Sequence, residues 1–357
     1  MPSRISVSAC AVLFLAVVMP ASMSAQGTAA NGAKKSGAAK EKAPGPKRKP
    51  PIQASMVGYI DDAIVGSQIR VRSDAALGDT QPDLAEFFQA QAGYDATQGQ
   101  GTPAGPKPGL AIKENFQQLY MRGEYAPKQN DRFSFIVDVP VRWVQPILFA
   151  EGTTANGTWG NQGGLSDVSA GFKVAAQESE RDSVTFQFLA TFPSGDAGKA
   201  LGTAHYAVAP ALLYYQKLTD RLSVESQISD SHPIGGDTPG FAGDVVEFGG
   251  GPGFVVYNGD RIKFAPVVEF VEWRIFGGHW SNPCLIDPAL IATCPDPPSN
   301  QTPSLDTSGG ANIINLKGGF RTSIGNNTSI YAGYGHVLTN GNLWYNQIFR
   351  VEFRRTF

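Results

Sequence analysis

From Ser67 onward, apolar and polar residues alternate with a period of two, the pattern of strands that have one greasy face and one polar face. Twelve segments can be cut this way, near residues 67–77, 114–126, 132–144, 165–176, 183–192, 205–217, 221–230, 243–257, 261–276, 311–323, 329–337 and 344–357. In the third, Phe133, Phe135, Val137, Val139 and Val141 lie opposite Ser134, Asp138 and Arg142. In the fifth, Val184, Phe186, Phe188 and Phe192 oppose Thr185, Gln187 and Thr191; in the ninth, Ile262, Phe264, Val268 and Phe270 oppose Lys263 and Glu269. Many segments reach ten residues or more, the length at which a tilted strand spans a bilayer.

The connections sharpen this. Short turns, "APKQNDR", "AQESERD", "KLTDR", "YNGDR" and "IGNNTS", alternate with longer stretches at 78–113, 145–164, 193–204, 231–242 and 277–310, and with a shorter one at 338–343. The turns carry Asp, Asn or Gly, which tolerate turn geometry. Strict alternation puts all tight turns at one end of the strands. The expected fold is therefore all-β: an antiparallel up-and-down transmembrane β-barrel of about 12 strands, with short periplasmic turns and long extracellular loops. A two-sheet sandwich is the competing arrangement, with the apolar side as its core. Closure favours the barrel, because lipid requires every backbone donor to be paired within the protein. So do the aromatics near expected strand ends, Tyr125, Trp143, Phe192, Trp273, Phe276, Trp344 and Phe357. The chain closes on "IFRVEFRRTF", in which Phe349, Val351 and Phe353 alternate with Arg350 and Glu352 and only Arg355 interrupts the greasy face. Its terminal Phe357 resembles the signal by which outer-membrane barrels engage the barrel-assembly machinery, so that machinery and outer-membrane lipid are expected partners.

Composition agrees. There are 41 glycines and 21 phenylalanines, 17% of residues are charged, and the net charge is −2, which excludes a general nucleic-acid binder. The apolar run "ISVSACAVLFLAVVM" after Arg4, followed by "PASMSAQ", reads as a secretory signal over residues 1–25, cleaved near Ser24 or Ala25. "VSAC" ending at Cys10 matches a lipobox only superficially, because most of the apolar run follows it. Residues 26–55 read as a basic periplasmic spacer rich in Ala, Gly, Pro and Lys, leaving 56–357 for the barrel. Without the signal, two cysteines remain. Cys284 and Cys294 lie in the proline-rich "NPCLIDPALIATCPDPP", where a disulfide closing a small loop is favoured over a metal site, His279 being the only further ligand nearby. No cofactor motif appears: the "GGGPG" at Gly249 to Gly253 is not followed by a helix and reads as a bend or close packing within a strand.

One stretch carries a family resemblance. "GLSDVSAGFKVAA" from Gly164 to Ala176, then "FPSGD" from Phe192 to Asp196 and "LGTAHYAVAPALLYYQKLTDRLSVESQI", resembles the outer-membrane transporters associated with the phenol-degradation (MetA) pathway. Gly164, Asp167, Gly171 and Lys173 match that family's pattern, and Ser194 stands where it usually has Thr. The resemblance implies a barrel that passes small molecules, hydrophobic or aromatic ones among them.

Strand parity then names the lumen-lining candidates: Arg70, Arg72, Arg122, Glu124, Asp138, Arg142, Lys173, Glu225, Glu247, Lys263, Glu269, Lys317, Arg321, Arg350 and Glu352. Twelve tilted strands give a backbone radius of roughly 12 Å, and inward side chains leave about half of it. The expected function is a passive channel through this narrow charged lumen, with a small-molecule solute as its partner. A structural or adhesive barrel is the alternative, in which these charges only satisfy one another. An enzyme of the outer-membrane phospholipase type is the remaining class: "HWSN" at His279 to Asn282 resembles its His-x-Ser spacing, but His205, His232 and His336 have no acidic neighbour in sequence.

Overall fold

The computed structural model describes residues 49–79, 113–128, 132–148, 161–196, 199, 201–203, 205–234, 244–276, 279–280, 306–307, 312–339 and 347–357. The signal over 1–25, the spacer up to residue 48, Trp344 and the Cys284–Cys294 pair lie outside the described residues.

Each of the twelve expected segments holds a long strand. These are β1 (Gln68–Asp79), β2 (Lys113–Tyr125), β3 (Phe133–Leu148), β5 (Val168–Glu178), β6 (Asp182–Phe192), β7 (Tyr206–Lys217), β8 (Leu222–Ile234), β9 (Asp244–Phe254), β11 (Ile262–Phe276), β14 (Asn312–Ile324), β15 (Thr328–Val337) and β16 (Gln347–Thr356). Four short pieces join them: β4 (Gln162–Leu165) beside β3, β10 (Tyr257–Asn258) beside β11, and the pair β12 (His279–Trp280) and β13 (Asp306–Thr307). The long strands pair antiparallel in chain order, and β1 pairs with both β2 and β16, so the sheet closes on itself. The closing seam runs from Gln68↔Thr356 to Leu77↔Gln347. Short turns share one rim. Backbone bonds step around it, from Ala175 to Arg132, Lys217 to Arg181, Val255 to Arg221, Gly325 to Arg261 and Phe357 to Ser67.

The faces follow the alternation. Phe135, Val137, Val268, Phe320, Phe349, Val351 and Phe353 are exposed on the outside, while Ser134, Asp138, Glu269, Arg321, Arg350 and Glu352 are buried inside. Outward rings pack across strands, Phe133 on Phe172 at 5.9 Å, Phe172 on Phe188 at 5.8 Å and Phe264 on Phe320 at 5.2 Å. This is inverted relative to a soluble protein: grease outside, charge inside. Arg355 is exposed on the outer face, and its guanidinium donates to Thr328 Oγ1 at 3.1 Å.

The interior nevertheless contains an apolar cluster, and much of it comes from residues upstream of β1. Met56, Val57, Tyr59 and Ile60 pack with Val267, Val271, Trp273, Tyr331 and Ile348 of the wall. Glycines in the wall make room for them. A Cβ at Gly249 would stand 2.6 Å from Ile60 Cγ2, and one at Gly253 would stand 2.5 Å from Met56 Cβ. Close packing does explain "GGGPG": Gly249 and Gly253 face the N-terminal segment, while a Cβ at Gly250 or Gly251 would collide with the Glu225 or Val268 carbonyl of a neighbouring wall strand.

Candidate functional site

The lumen is occupied by the chain itself. Ser67 sits at the turn rim, where its carbonyl accepts from Phe357 N–H at 3.0 Å and its hydroxyl bonds the backbone of Ala126. Upstream of it the chain enters the barrel. The Ala63 carbonyl accepts from Ser183 Oγ at 3.1 Å, and Asp61 N–H donates to Gln227 Oε1 at 2.7 Å. A bend follows at Gly58, Tyr59 and Ile60, whose N–H groups all donate to the Glu269 carboxylate, at 3.0 to 3.2 Å. Then the chain turns back. Met56 N–H and Ser55 Oγ donate to Glu225 at 2.7 and 2.8 Å, and a short 3-10 helix at Ile52–Ala54 leads to Lys49, whose Nζ donates to the Val65 carbonyl at 3.2 Å. The two limbs thus lie side by side at the turn rim. Residues 50–55, read from sequence as spacer, form part of this insertion, and Ser55 is buried.

Two adjacent acids carry most of the charge. Asp61 pairs with Arg122, which also holds Asp138, and Gln187 Nε2 donates to Asp61 at 2.8 Å. Asp62 faces Lys173 at 3.3 Å, Arg70 at 3.4 Å and Arg354 at 3.7 Å. A buried lone charge would cost several kcal/mol, so each must be paired.

The sequence candidates divide by what they touch. Arg70, Arg122, Glu124, Lys173, Glu225, Glu269, Arg321 and Arg350 bond the inserted segment directly: Glu124 accepts from Gly66 N–H at 3.3 Å, Arg321 Nε donates to the Met56 carbonyl at 3.1 Å, and Arg350 Nη1 donates to that of Gly58 at 2.9 Å. Lys317 lies over the Tyr59 ring, Nζ 4.2 Å from its centroid. Glu352 and Asp138 act through arginines: Glu352 binds Arg70 at 2.7 Å and Arg321 at 2.9 Å. Toward the loops, Arg142 donates to Gln118 Oε1 at 2.8 Å, Arg72 stacks on Tyr120 at 3.7 Å, and Glu247 accepts from Gln227 at 3.2 Å. Lys263 is exposed near the turn rim, apart from the others.

Parity reasoning missed Asp61, Asp62, Tyr59, Asp74 and Arg354. Asp74 and Arg354 continue the inward parity of Arg72 and Glu352, so the rule that named their neighbours reaches them; Arg350 Nε meets Asp74 at 2.6 Å. The others lie before the first strand. Their signal was "ASMVGYIDDAIVGS", too apolar for a spacer and carrying two acids that need partners.

The matched motif is largely structural. Lys173 holds Asp62 and Glu124, and a Cβ at Gly171 would collide with the Phe188 carbonyl. Asp167 ties down the loop after β6, accepting from Gly195 N–H at 2.9 Å and from Thr203 N–H and Oγ1 at 2.7 Å. Ser194 Oγ bridges to the Ser166 carbonyl and Val168 N–H, both at 2.9 Å. Of "HWSN", Ser281 and Asn282 lie outside the described residues, while β9 supplies His232 with a carboxylate that sequence proximity did not suggest, Asp244 at 2.6 Å.

A closed barrel with an apolar exterior and a charged, chain-filled interior is an outer-membrane β-barrel. Solved structures agree on the fold. The chain is similar to an outer-membrane channel from Pseudomonas putida F1, at 12% identity and a TM-score of 0.50, over 84% of this chain and 100% of that one. Weaker likenesses include the β domain of the Bordetella autotransporter BrkA, with 10% identity over 82% of this chain and 100% of that one and a TM-score of 0.45. Another is a FadL homologue from Pseudomonas aeruginosa, with 13% identity over 84% of this chain and 91% of that one and a TM-score of 0.36. No family model matches the sequence, and no curated protein matches it.

Proposed function

We propose that this barrel is a channel that passes small solutes by passive diffusion, and that residues 50–66 are its gate. The observation that carries the reading is how the segment is held. Among the described residues, no backbone ladder joins it to a wall strand; side chains grip it, and every long wall strand pairs with two others without it. Withdrawal would therefore leave the wall intact. Both limbs leave by the same rim, so the segment can slide out without threading through the barrel. The space left behind is a bore lined by both signs of charge, with a radius of roughly 6 Å by the geometry of twelve tilted strands. The resemblance to phenol-pathway transporters supports small solutes, hydrophobic or aromatic ones included.

A structural or adhesive barrel is the second reading, favoured by the completeness with which the segment's charges are paired. Planar-bilayer recording separates the two. The full-length protein is expected to be mostly silent, and a chain lacking residues 50–66 to conduct steadily. A deletion barrel that is folded, as judged by heat-modifiable gel migration, yet silent at every voltage would refute the channel.

A further inference from the structure

Of residues 50–66 only Asp61 and Asp62 are charged, and both charges are negative. Wall side chains meet all four of their carboxylate oxygens. Asp61 Oδ1 pairs with Arg122 and lies 3.5 Å from Arg70 Nη1, and Asp61 Oδ2 accepts from Gln187 at 2.8 Å. Asp62 Oδ1 faces Lys173 at 3.3 Å, while its Oδ2 is shared by Arg70 at 3.4 Å, Gln68 at 3.3 Å and Arg354 at 3.7 Å. We propose that these wall groups form a dicarboxylate site, filled by the segment's own side chains when the barrel is closed and by a small dicarboxylate such as succinate when the segment leaves. Its role as the solute site of the channel rests on the gate reading; its chemistry does not.

The occupant names the ligand class. Among the described residues, no backbone ladder ties the segment to a wall strand, so its two carboxylates are held by side-chain contacts of the kind a free anion would make. Arg70 sets their spacing. Its Nη1 lies 3.5 Å from an oxygen of Asp61 and 3.4 Å from one of Asp62, so those two oxygens are at most about 7 Å apart. A four-carbon chain with a carboxylate at each end spans that range, whereas a monocarboxylate fills only half of the site.

Charge fixes the sign. The four cations that hold Asp61 and Asp62 have three wall carboxylates as further ion-pair partners among the described residues: Asp138 for Arg122, Glu124 for Lys173, and Glu352 for both Arg70 and Arg354. Glu352 is divided once more, because Arg321 binds it at 2.9 Å. Once Asp61 and Asp62 leave, this ion-pair network keeps five cations on three carboxylates, a surplus of two equal to the charge withdrawn. Unbalanced buried charge is costly, and a dianion restores the balance that the two aspartates supplied. A neutral solute leaves the surplus in place, and a cation adds to it.

The test is calorimetric titration of the detergent-solubilised full-length protein with succinate, succinamide and sulfate. Asp61→Ala combined with Asp62→Ala empties the site without shortening the chain, and this variant should bind succinate saturably and at least about tenfold more tightly than the wild type, whose site is filled. Succinamide has the length without the charge, and sulfate has the charge without the span; both should bind more weakly than succinate. Adding Lys173→Met, or Arg122→Gln if that chain does not fold, should weaken succinate binding by about tenfold or more. If the double variant itself does not fold, Asp62→Ala alone, titrated with acetate, decides the matter by saturable binding or its absence. No saturable succinate binding in the folded double variant, an affinity no greater than that of the wild type, succinamide or sulfate matching succinate, or no loss with the added substitution would overturn the site. The role is read in planar bilayers under a potassium chloride gradient, where the barrel lacking residues 50–66 should prefer chloride; a preference for potassium would overturn it. If succinate fails to bind while that barrel conducts, the site falls and the channel stands. If succinate binds while that barrel is silent, the channel falls and the site stands.

Discussion

Glu269 is where the gate can be weakened by a known amount. Its carboxylate sits on β11 and accepts the N–H groups of Gly58, Tyr59 and Ile60, at the bend where the inserted segment reverses. Glu269→Gln keeps one acceptor oxygen and removes the charge. Charge-assisted hydrogen bonds are roughly twice as strong as neutral ones, so the loss is about 1–2 kcal/mol, a factor of roughly 5–30 in the closed-to-open ratio. Glu269→Ala removes the acceptor altogether and strands three buried N–H donors at about 1–3 kcal/mol each, so it should cost at least about 3 kcal/mol. At about 1.4 kcal/mol per tenfold, the open-to-closed ratio should rise by at least about a hundredfold. Val268 is the control: it is the preceding residue, it faces outward, and Val268→Ala should leave the open fraction unchanged. The assay is single-channel recording at fixed voltage and salt, on protein whose folding is checked by heat-modifiable migration. Equal open fractions for wild type, Gln and Ala, or a Gln variant more open than the Ala variant, would refute the reasoning.

Two other perturbations read separate parts of the molecule. Met56→Cys combined with Gly253→Cys should form a disulfide that pins the segment to β9, because the two Cβ positions already stand 2.5 Å apart and a shift of about 1 Å reaches disulfide geometry; oxidised protein should fail to open in bilayers and recover on reduction. Val351→Arg places a charge on the outer face of β16, where Val351 is 54% exposed, and should cost about 2–4 kcal/mol if that position lies near the bilayer midplane; denaturant titration of lipid-reconstituted protein measures it, and an unchanged midpoint would place Val351 away from the hydrocarbon.

The strands were legible because each carries its own signal. Alternation in β3 placed Phe135 and Val137 outside and Asp138 and Arg142 inside, and the structure keeps that assignment. Turn lengths gave the rim. Less local facts were not legible. Nothing in the sequence of β9 says that Gly249 and Gly253 face Ile60 and Met56, because the two stretches are almost two hundred residues apart. Nor could parity say whether Arg321 faces an open bore or the Met56 and Val57 carbonyls. Lys263 shows the opposite limit: it has the inward parity, but a strand end at the rim leaves it exposed whichever way parity points.

The sequence by itself determined the strands, their apolar and polar faces and the rim of short turns, because a two-residue period and turn chemistry are properties of neighbours along the chain. Only the tertiary structure decided what fills the lumen. Asp61 and Asp62 choose Arg122, Lys173, Arg70 and Arg354 from four different wall strands, and those side chains meet only when the sheet has closed around them. Buried charge is satisfied by whatever lies within a few ångströms, and that proximity is set by closure, not by order in the chain.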